Sequence, residues 1–305
     1  WERRVGPETS RGRHHPKRFS LGLHPVSLGK TKEMGWNRQR KRKANQQQNG
    51  ELRKQNPARK HDPAQKGAAV TELWKNGPLY DGGGAFPITT DSVLLADFVR
   101  AKPCRAVELC SGAGLISLLL LSREPRLSID CAEIDPAASA AAARNFAANG
   151  LSDRARPLCL DIRDHRTALP HAACGLAVCN PPYFAEGSGR APETEAMALA
   201  RSETGCTLAQ VVAAAAWCLR TGGAFCLVHR PERLVELLSL MSASGLEPKR
   251  LRLVQHRLEK PPGLVLVEGR KGARPGLEVL PALILTGPDG RDAAEMRRIY
   301  HREEN

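Results

Sequence analysis

A chain of 305 residues can hold one large domain or two ordinary ones, and a hydrophobic share of 41% suffices for a core. The formal net charge is +14, but residues 1–70 contain 18 Lys or Arg against 5 Asp or Glu, whereas residues 71–305 contain 28 against 27. The basicity therefore belongs to a leader and not to the body. No apolar run approaches the roughly 18–20 residues of a membrane-spanning helix, which argues against a membrane protein.

Residues 1–70 are predicted to be a disordered, low-complexity leader. The stretch RQRKRKANQQQNGELRKQNPARK (38–60) has no apolar period and almost nothing to bury. Two interpretations stay open. In the first, the leader is a dispensable tail or the result of a start assigned too far upstream, since the chain opens on Trp1 rather than Met. In the second, it is an arm that binds nucleic acid.

The nine cysteines are odd in number and include no CxxC pair. Most lie in apolar strand-like or helical runs, which is typical of reduced, buried thiols in the cytoplasm rather than of disulfides or zinc ligands. His and Cys never cluster at ligand spacing, so no metal is expected. The cysteines in these runs are Cys131, Cys159, Cys179, Cys218 and Cys226.

From residue 71 onward, buried strands alternate with helices. Strands linked through helices predict a parallel sheet with right-handed crossovers, which is a doubly wound, Rossmann-like α/β fold. The last two strands have no helix between them and predict an antiparallel hairpin at one edge, and residues 270–305 predict an extra strand and a tail helix. The predicted strands cover 105–110, 127–134, 156–160, 175–180, 224–229, 250–256 and 263–269; the predicted helices cover 91–99, a segment from about 115, 136–149, 207–220 and 231–243.

Two helix starts carry capping signals. Thr90 or Asp91 can cap the helix at 91–99. Asp135 followed by Pro136 predicts the N-terminus of an alanine-rich helix, and Gly150 follows its end.

Candidate ligand-binding residues follow three of the parallel strands. In such sheets, ligands bind beyond the carboxyl ends of the strands, where the strand order reverses. The first strand leads into ELCSGAG (108–114), whose Gly112 and Gly114 allow a ligand to approach the backbone. Glu133 and Asp135 end the second strand and can hold ribose hydroxyls. Asp161 ends the third strand and either accepts from an adenine amino group or caps the next turn. These residues predict a nucleoside pocket, with NAD still an alternative.

The stretch NPPYF follows the fourth strand. An exocyclic amino group is a poor nucleophile because its lone pair is delocalised, and two acceptors can restore lone-pair character. We expect the side-chain oxygen of Asn180 and the carbonyl of Pro181 to be these acceptors. Pro182 stiffens the corner. Tyr183 offers a ring on which a flipped base can stack, and Phe184 a pocket wall.

Six motifs of the body carry a family resemblance: GGGAFPITTDSVLLADF, ELCSGAG, AEIDP, NPPYF, HRPERL and KPPGLVLVEGRKG. With them the body resembles the class I S-adenosylmethionine (SAM)-dependent amino methyltransferases, and within them the bacterial tRNA adenine-N6 methyltransferases that modify adenosine 37 of a valine tRNA. The resemblance covers roughly residues 75–300 and implies that 71–305 form a methyltransferase domain with SAM as cofactor and tRNA as partner.

The resemblance implies roles for individual residues. Asn180, Pro181, Pro182 and Tyr183 are expected to hold the target adenine. Two positions depart from the family pattern: Cys110 replaces a common glycine, and Ser202 stands where a histidine is expected. The residues expected to contact the cofactor are Glu108, Cys110, Gly112, Gly114, Glu133, Asp135, Asp161 and Asn180.

NPPY alone does not choose the substrate. It is shared with enzymes that methylate the glutamine amide of translation release factors, and other RNA or DNA amino groups remain alternatives. A basic cluster within 249–274 is either a set of solvated strand edges or a grip for tRNA phosphates beside the pocket, where Lys260, Arg270 and Lys271 join Tyr183 and Phe184 as expected substrate contacts. A cytoplasmic monomer is favoured, with the oligomeric state open.

Overall fold

The computed structural model describes residues 70–83, 86–181 and 206–302. Residues 1–69 of the basic leader lie outside the described residues, and so do Pro182, Tyr183, Phe184 and Ser202. What the sequence predicts for them stays a prediction.

The predicted strands and helices follow one another in the predicted order, and the described chain adds two short strands before the first of them and a one-turn helix at His165–Ala168. The strands are β1 (Thr71–Glu72), β2 (Leu79–Tyr80), β3 (Arg105–Leu109), β4 (Ser128–Glu133), β5 (Ala155–Cys159), β6 (Cys174–Cys179), β7 (Leu219–His229), β8 (Leu246–Gln255), β9 (Leu264–Lys271) and β10 (Glu278–Ile284). The helices are α1 (Thr90–Phe98), α2 (Leu115–Arg123), α3 (Pro136–Ala148), α4 (His165–Ala168), α5 (Leu208–Cys218), α6 (Leu234–Ala243) and α7 (Ala294–Ile299).

The main sheet is doubly wound, with the strand order β10-β8-β9-β7-β6-β3-β4-β5. From β7 to β5 each strand is parallel to its neighbour. Alternate residues of one strand supply different cores: Ala106 of β3 joins the core with α1, α2 and α3, whereas Val107 and Leu109 join the core with α5 and α6. Because side chains alternate across a strand, a sheet covered on both faces needs nearly continuous apolar runs.

β8 and β9 form the antiparallel hairpin that the sequence predicts, and β9 is also antiparallel to β7. The hairpin is not outermost, because β10 pairs in parallel with β8 and forms the margin of the sheet. β10 and α7 are the extra strand and tail helix expected in 270–305. Each of the two outer strands contains a proline, Pro157 in β5 and Pro281 in β10.

Two details differ from the sequence predictions. Asp135 caps α3 as expected and accepts from a first-turn N–H at 2.8 Å. For α1, however, the cap is Thr89 rather than Thr90 or Asp91, because the helix begins one residue earlier. Cys159 is exposed because β5 is an outer strand, so the prediction of burial is wrong for this thiol.

Gly114 lets α3 approach the loop after β3. Its φ is +78°, a left-handed conformation that other residues rarely adopt. A Cβ there would lie 2.7 Å from the Phe146 ring and 3.2 Å from Ala142. Gly150 has a φ of +65°, but an added Cβ there meets nothing within 4 Å. A substitution at Gly150 therefore adds backbone strain alone, whereas one at Gly114 adds both backbone strain and a steric overlap.

We expect Gly114→Ala to lower the free energy of unfolding more than Gly150→Ala does. Both substitutions add left-handed strain of about 1–2 kcal/mol. Only at Gly114 does the new methyl group overlap a buried ring, which adds about 1–3 kcal/mol. Urea unfolding of the two variants measures the difference, and equal losses would contradict the close-packing argument.

Candidate active site

The strand order reverses at β3, which has β4 on one side and β6 on the other. Ligands of doubly wound sheets bind at the carboxyl ends of the strands beside such a reversal. Residues 110–114 follow β3, Glu133 ends β4, and Asn180 follows β6. Because Leu109 is paired with Cys179, Asn180 leaves the sheet beside residue 110. The predicted residues of these three strand ends therefore lie at the same edge of the sheet, and we call the region between them the crevice.

Glu133 joins the ends of β3 and β4. Its Oε2 accepts from the N–H of Gly112 at 2.8 Å, and its Oε1 accepts from the N–H of Asp135 at 2.9 Å. Burial raises the pKa of Glu133, and the two N–H donors oppose that rise. A carboxylate has about four acceptor positions, so Glu133 retains capacity for hydroxyl groups of a ligand.

The loop 110–114 forms a cradle that a side chain would fill. Gly112 has a φ of +52°, and a Cβ there would lie 3.0 Å from the Phe86 ring. The buried Oγ of Ser111 has no hydrogen-bond partner among the described residues. An open backbone, an unsatisfied hydroxyl and the Glu133 carboxylate beside them fit SAM, which offers hydroxyl, amino and carboxylate groups.

Glu108 lies beneath this loop. Its Oε2 accepts from the backbone N–H of Ser117 in α2 at 2.9 Å, and also from the Ser117 hydroxyl. Burial raises the pKa of Glu108 to about 8 despite these two hydrogen bonds. The carboxyl group thus ties α2 to β3, and its expected contact with the cofactor stays a prediction.

Asp161 caps the turn that follows β5. Its Oδ1 accepts from the backbone N–H of Arg163 at 2.9 Å, and its Oδ2 accepts from Arg163 Nε at 2.7 Å. The hydrogen bonds to Arg163 lower the pKa of Asp161. Of the two roles that the sequence allows for Asp161, the structure contains the cap of the next turn. Recognition of adenine by Asp161 stays a prediction.

Cys110 occupies a position suited to glycine, with a φ of +55°. Its Sγ lies 3.7 Å from Sγ of Cys206, which directly precedes Thr207, the N-cap of α5. A hydrogen bond with Cys179 is the main cause of a raised pKa for the Cys110 thiol. A neutral thiol is a weak nucleophile, so this arrangement does not favour a covalent mechanism through Cys110.

Asn180 is hydrogen-bonded to the N-terminus of α1. Its Nδ2 donates to Ser92 Oγ at 3.0 Å, and the hydroxyl of Thr89 donates to the same oxygen at 3.0 Å. Phe86 and Ser92 are not among the site residues predicted from the sequence. Both lie in GGGAFPITTDSVLLADF, and the motif itself was the available signal.

The prediction that Arg270 and Lys271 lie beside the crevice is wrong. β9 runs antiparallel to β7, so its last residues lie at the amino end of β7, opposite the crevice. There, Arg270 pairs with Glu268 at 3.0 Å, and Lys271 donates to two carbonyls at the end of α5 at 2.6 and 2.8 Å. Lys260 lies in the β8–β9 loop, at the same end of the sheet as the crevice, and its role stays a prediction.

Within residues 70–83, 86–181 and 206–302, no group of three or more His, Cys, Asp or Glu is placed to hold a metal ion. Nor does the described chain include a helix of the length and apolarity needed to cross a bilayer. The crevice is built from carboxylate, carboxamide, hydroxyl and backbone groups.

Comparison with known families identifies a match to the methyltransferase small domain over residues 88–242. A tRNA1(Val) (adenine(37)-N6)-methyltransferase of Porphyromonas gingivalis is 31% identical over 195 residues, which cover 62% of this chain and 76% of that protein. The enzyme of the same name from Erwinia tasmaniensis is 29% identical over 219 residues, 70% of this chain and 86% of that protein.

A solved structure from Agrobacterium tumefaciens, described as a predicted O-methyltransferase, has a similar fold. The TM-score is 0.57 at 19% identity, over 71% of this chain and 98% of that one. At this identity the likeness concerns the fold alone.

We expect Glu108→Gln to flatten the dependence of stability on pH. Between pH 4.5 and about 8, the folded protein keeps a proton on Glu108 that the unfolded chain releases. Wild-type stability should therefore fall as pH rises through this window, and the variant, which carries no titrating group there, should lose this component. Urea unfolding at pH 5, 6.5 and 8 measures the difference. A variant with the same slope as wild type would contradict the raised pKa.

Proposed function

We propose a tRNA adenine-N6 methyltransferase activity on the premise that this chain belongs to the methyltransferase small domain family. The methyl donor is SAM, and the acceptor is the N6 amino group of an adenosine in tRNA. By similarity to the relatives above, adenosine 37 of a valine tRNA is the first candidate. Because tRNA is the proposed substrate, we infer a cytoplasmic location.

The observation that carries the proposal is Asn180 at the end of β6, beside the loop 110–114. SAM supplies an electrophilic methyl group when bound. Glu133 and the loop would hold its nucleoside part, and Asn180 would face the acceptor nitrogen. The enzyme then acts by positioning and by exclusion of water, without a strong base.

Asn180 prepares the acceptor nitrogen. Its Oδ1 accepts one hydrogen of the amino group and the carbonyl of Pro181 accepts the other, which draws both hydrogens out of the ring plane and restores lone-pair character. The proton that leaves after transfer passes to water or through Asn180. Tyr183 and Phe184 are proposed to contact the flipped base.

The relatives favour adenine in tRNA over a glutamine amide of a release factor. An adenosine in a single-stranded loop costs little to extrude, which favours RNA over duplex DNA. The basic leader is proposed to add phosphate contacts without supplying residues to the crevice.

We expect the purified full chain to methylate a valine tRNA transcript and not a release factor supplied as the competing acceptor. Transfer of the radiolabelled methyl group, followed by nucleoside mass spectrometry, should give N6-methyladenosine. Label in the protein alone would move the assignment to the glutamine enzymes.

We expect Asn180→Ala to lower kcat by roughly 100-fold, because one preorganised partner of the reacting group is lost. Its dissociation constant for SAM should change much less. Glu133→Gln should show the opposite pattern and weaken SAM binding by about tenfold or more, since bonds to a charged acceptor contribute roughly 1.5–3 kcal/mol. Calorimetry and steady-state kinetics separate the two effects. Near-wild-type turnover by Asn180→Ala would refute the mechanism.

A further inference from the structure

We propose that a cleft at the β5 margin of the main sheet is a phosphate-binding site, separate from the crevice. Arg105 of β3 and Arg156 of β5 are the two residues that hold the phosphate group. The inference goes beyond the proposed methyl transfer, because neither arginine has a part in that reaction.

The cleft lies at the beginning of three neighbouring strands. It has a volume of about 410 Å³, and the starts of β3, β4 and β5 contribute to its wall. β5 is the outermost strand on this side of the main sheet. Asp130 in the cleft precedes Glu133 by three residues, which is about 10 Å along β4. The charged residues that line the cleft are Arg105, Asp130, Asp153, Arg154 and Arg156.

Asp130 fixes the positions of two guanidinium groups. Its Oδ2 accepts from Nε and Nη2 of Arg105 at 3.1 and 2.7 Å, and its Oδ1 accepts from Nε of Arg156 at 2.8 Å. Asp130 and Arg156 are directly opposite each other in the pairing of β4 with β5. The Asp130 side chain is only 7% exposed, so the carboxylate needs cationic partners and holds both in place.

Both arginines keep donors for a ligand. Their side chains are 43% exposed for Arg105 and 59% for Arg156. Nη1 of Arg105 and both Nη atoms of Arg156 make no hydrogen bond with any part of the chain that the structure describes. Arg105 alone balances the charge of Asp130, so Arg156 adds a positive charge that a bound anion would neutralise. The planar fork of a guanidinium group matches the oxygen atoms of a phosphate.

The remaining two charges of the cleft have different roles. Nη1 of Arg154 donates to the carbonyls of Leu121, Glu124 and Leu127 at 3.3–3.5 Å, so this guanidinium group is directed at the end of α2 and the turn after it. Asp153 is exposed and forms no ion pair with the described residues, and its negative charge opposes an anion in the cleft. Asp153 therefore weakens the site, which gives variants of opposite sign.

A purely structural role for the arginines makes a different prediction. If they only neutralised Asp130, Arg156→Gln would lower the free energy of unfolding, and Asp153→Asn would change no binding constant. Matched controls lie at the other margin of the sheet. Arg274 and Glu278 are exposed residues just before and at the start of β10, and Arg274→Gln and Glu278→Gln change the charge by the same amounts.

The test measures two sources of phosphate with the full chain. One arm titrates inorganic phosphate by calorimetry, and the other measures binding of a tRNA transcript as a function of salt. We expect Arg156→Gln to weaken binding about fivefold and Asp153→Asn to strengthen it about twofold, each relative to its control. Arg156→Lys keeps the charge but loses the fork, so it should restore only part of the affinity. Urea unfolding verifies that the variants are folded.

The two arms identify the source of the phosphate. Effects in the inorganic phosphate arm alone indicate a free phosphate or a small phosphate compound. Effects in the tRNA arm, with the slope of log K against log salt reduced by about 1 in Arg156→Gln, indicate the RNA backbone. Either result supports the site. The inference is overturned if Arg156→Gln and Asp153→Asn match their controls in both arms. Methylation of tRNA by the wild type is measured separately, so failure of the proposed function is distinguishable from failure of this site.

Discussion

The carboxylate of Glu133 holds the crevice together. It accepts from Gly112 after β3 and from Asp135 after β4, and it adds these two bonds to the backbone hydrogen bond from the Ser111 N–H to the carbonyl of Ala132 at 3.0 Å. An anionic acceptor between two N–H donors is stronger than a neutral one, which is why an acid at the end of β4 serves both the fold and a bound nucleoside. The shape of the loop 110–114 and the start of α3 depend on it.

Two carboxyl groups at the crevice are shielded from water and have no cation as a partner. Glu108 and Glu133 are both buried, and burial raises the pKa of each. Their partners are backbone N–H groups and a serine hydroxyl rather than cations. The proposed chemistry suits such a place, because methyl transfer from a sulfonium donor to an amino group needs acceptors held in position more than it needs a strong base.

The sequence predicts the centre of the sheet well because both faces are covered there, so that central strands such as β3 and β6 are largely apolar runs between capping and turn signals. It predicts the strand ends for the same reason, and Gly112, Glu133 and Asn180 indeed lie at the same end of the sheet. Contacts between segments that are distant in sequence could not be predicted in this way. The bond from Asn180 to Ser92 depends on how α1 packs, and no local pattern encodes it.

Closeness in sequence does not place the basic residues of 249–274 at one end of the sheet. Lys260 and Lys271 are close along the chain, yet the length of β9 separates them and sends Lys271 to the far end of the sheet. Cys159 is exposed for a different reason: the burial of a strand depends on its place in the order of strands, which its own composition does not specify.

The prolines of the two outer strands have a consequence for assembly. A sheet margin presents unpaired N–H and C=O groups that can recruit a strand from another molecule, and this is a common route to aggregation. Pro157 in β5 and Pro281 in β10 each remove one donor from such a margin. The pairing of β10 with β8 also shifts register between Leu280 and Leu283, which interrupts the ladder beside Pro281. Both margins of the described sheet are thereby poor templates for a further strand, which disfavours edge-to-edge association of folded molecules.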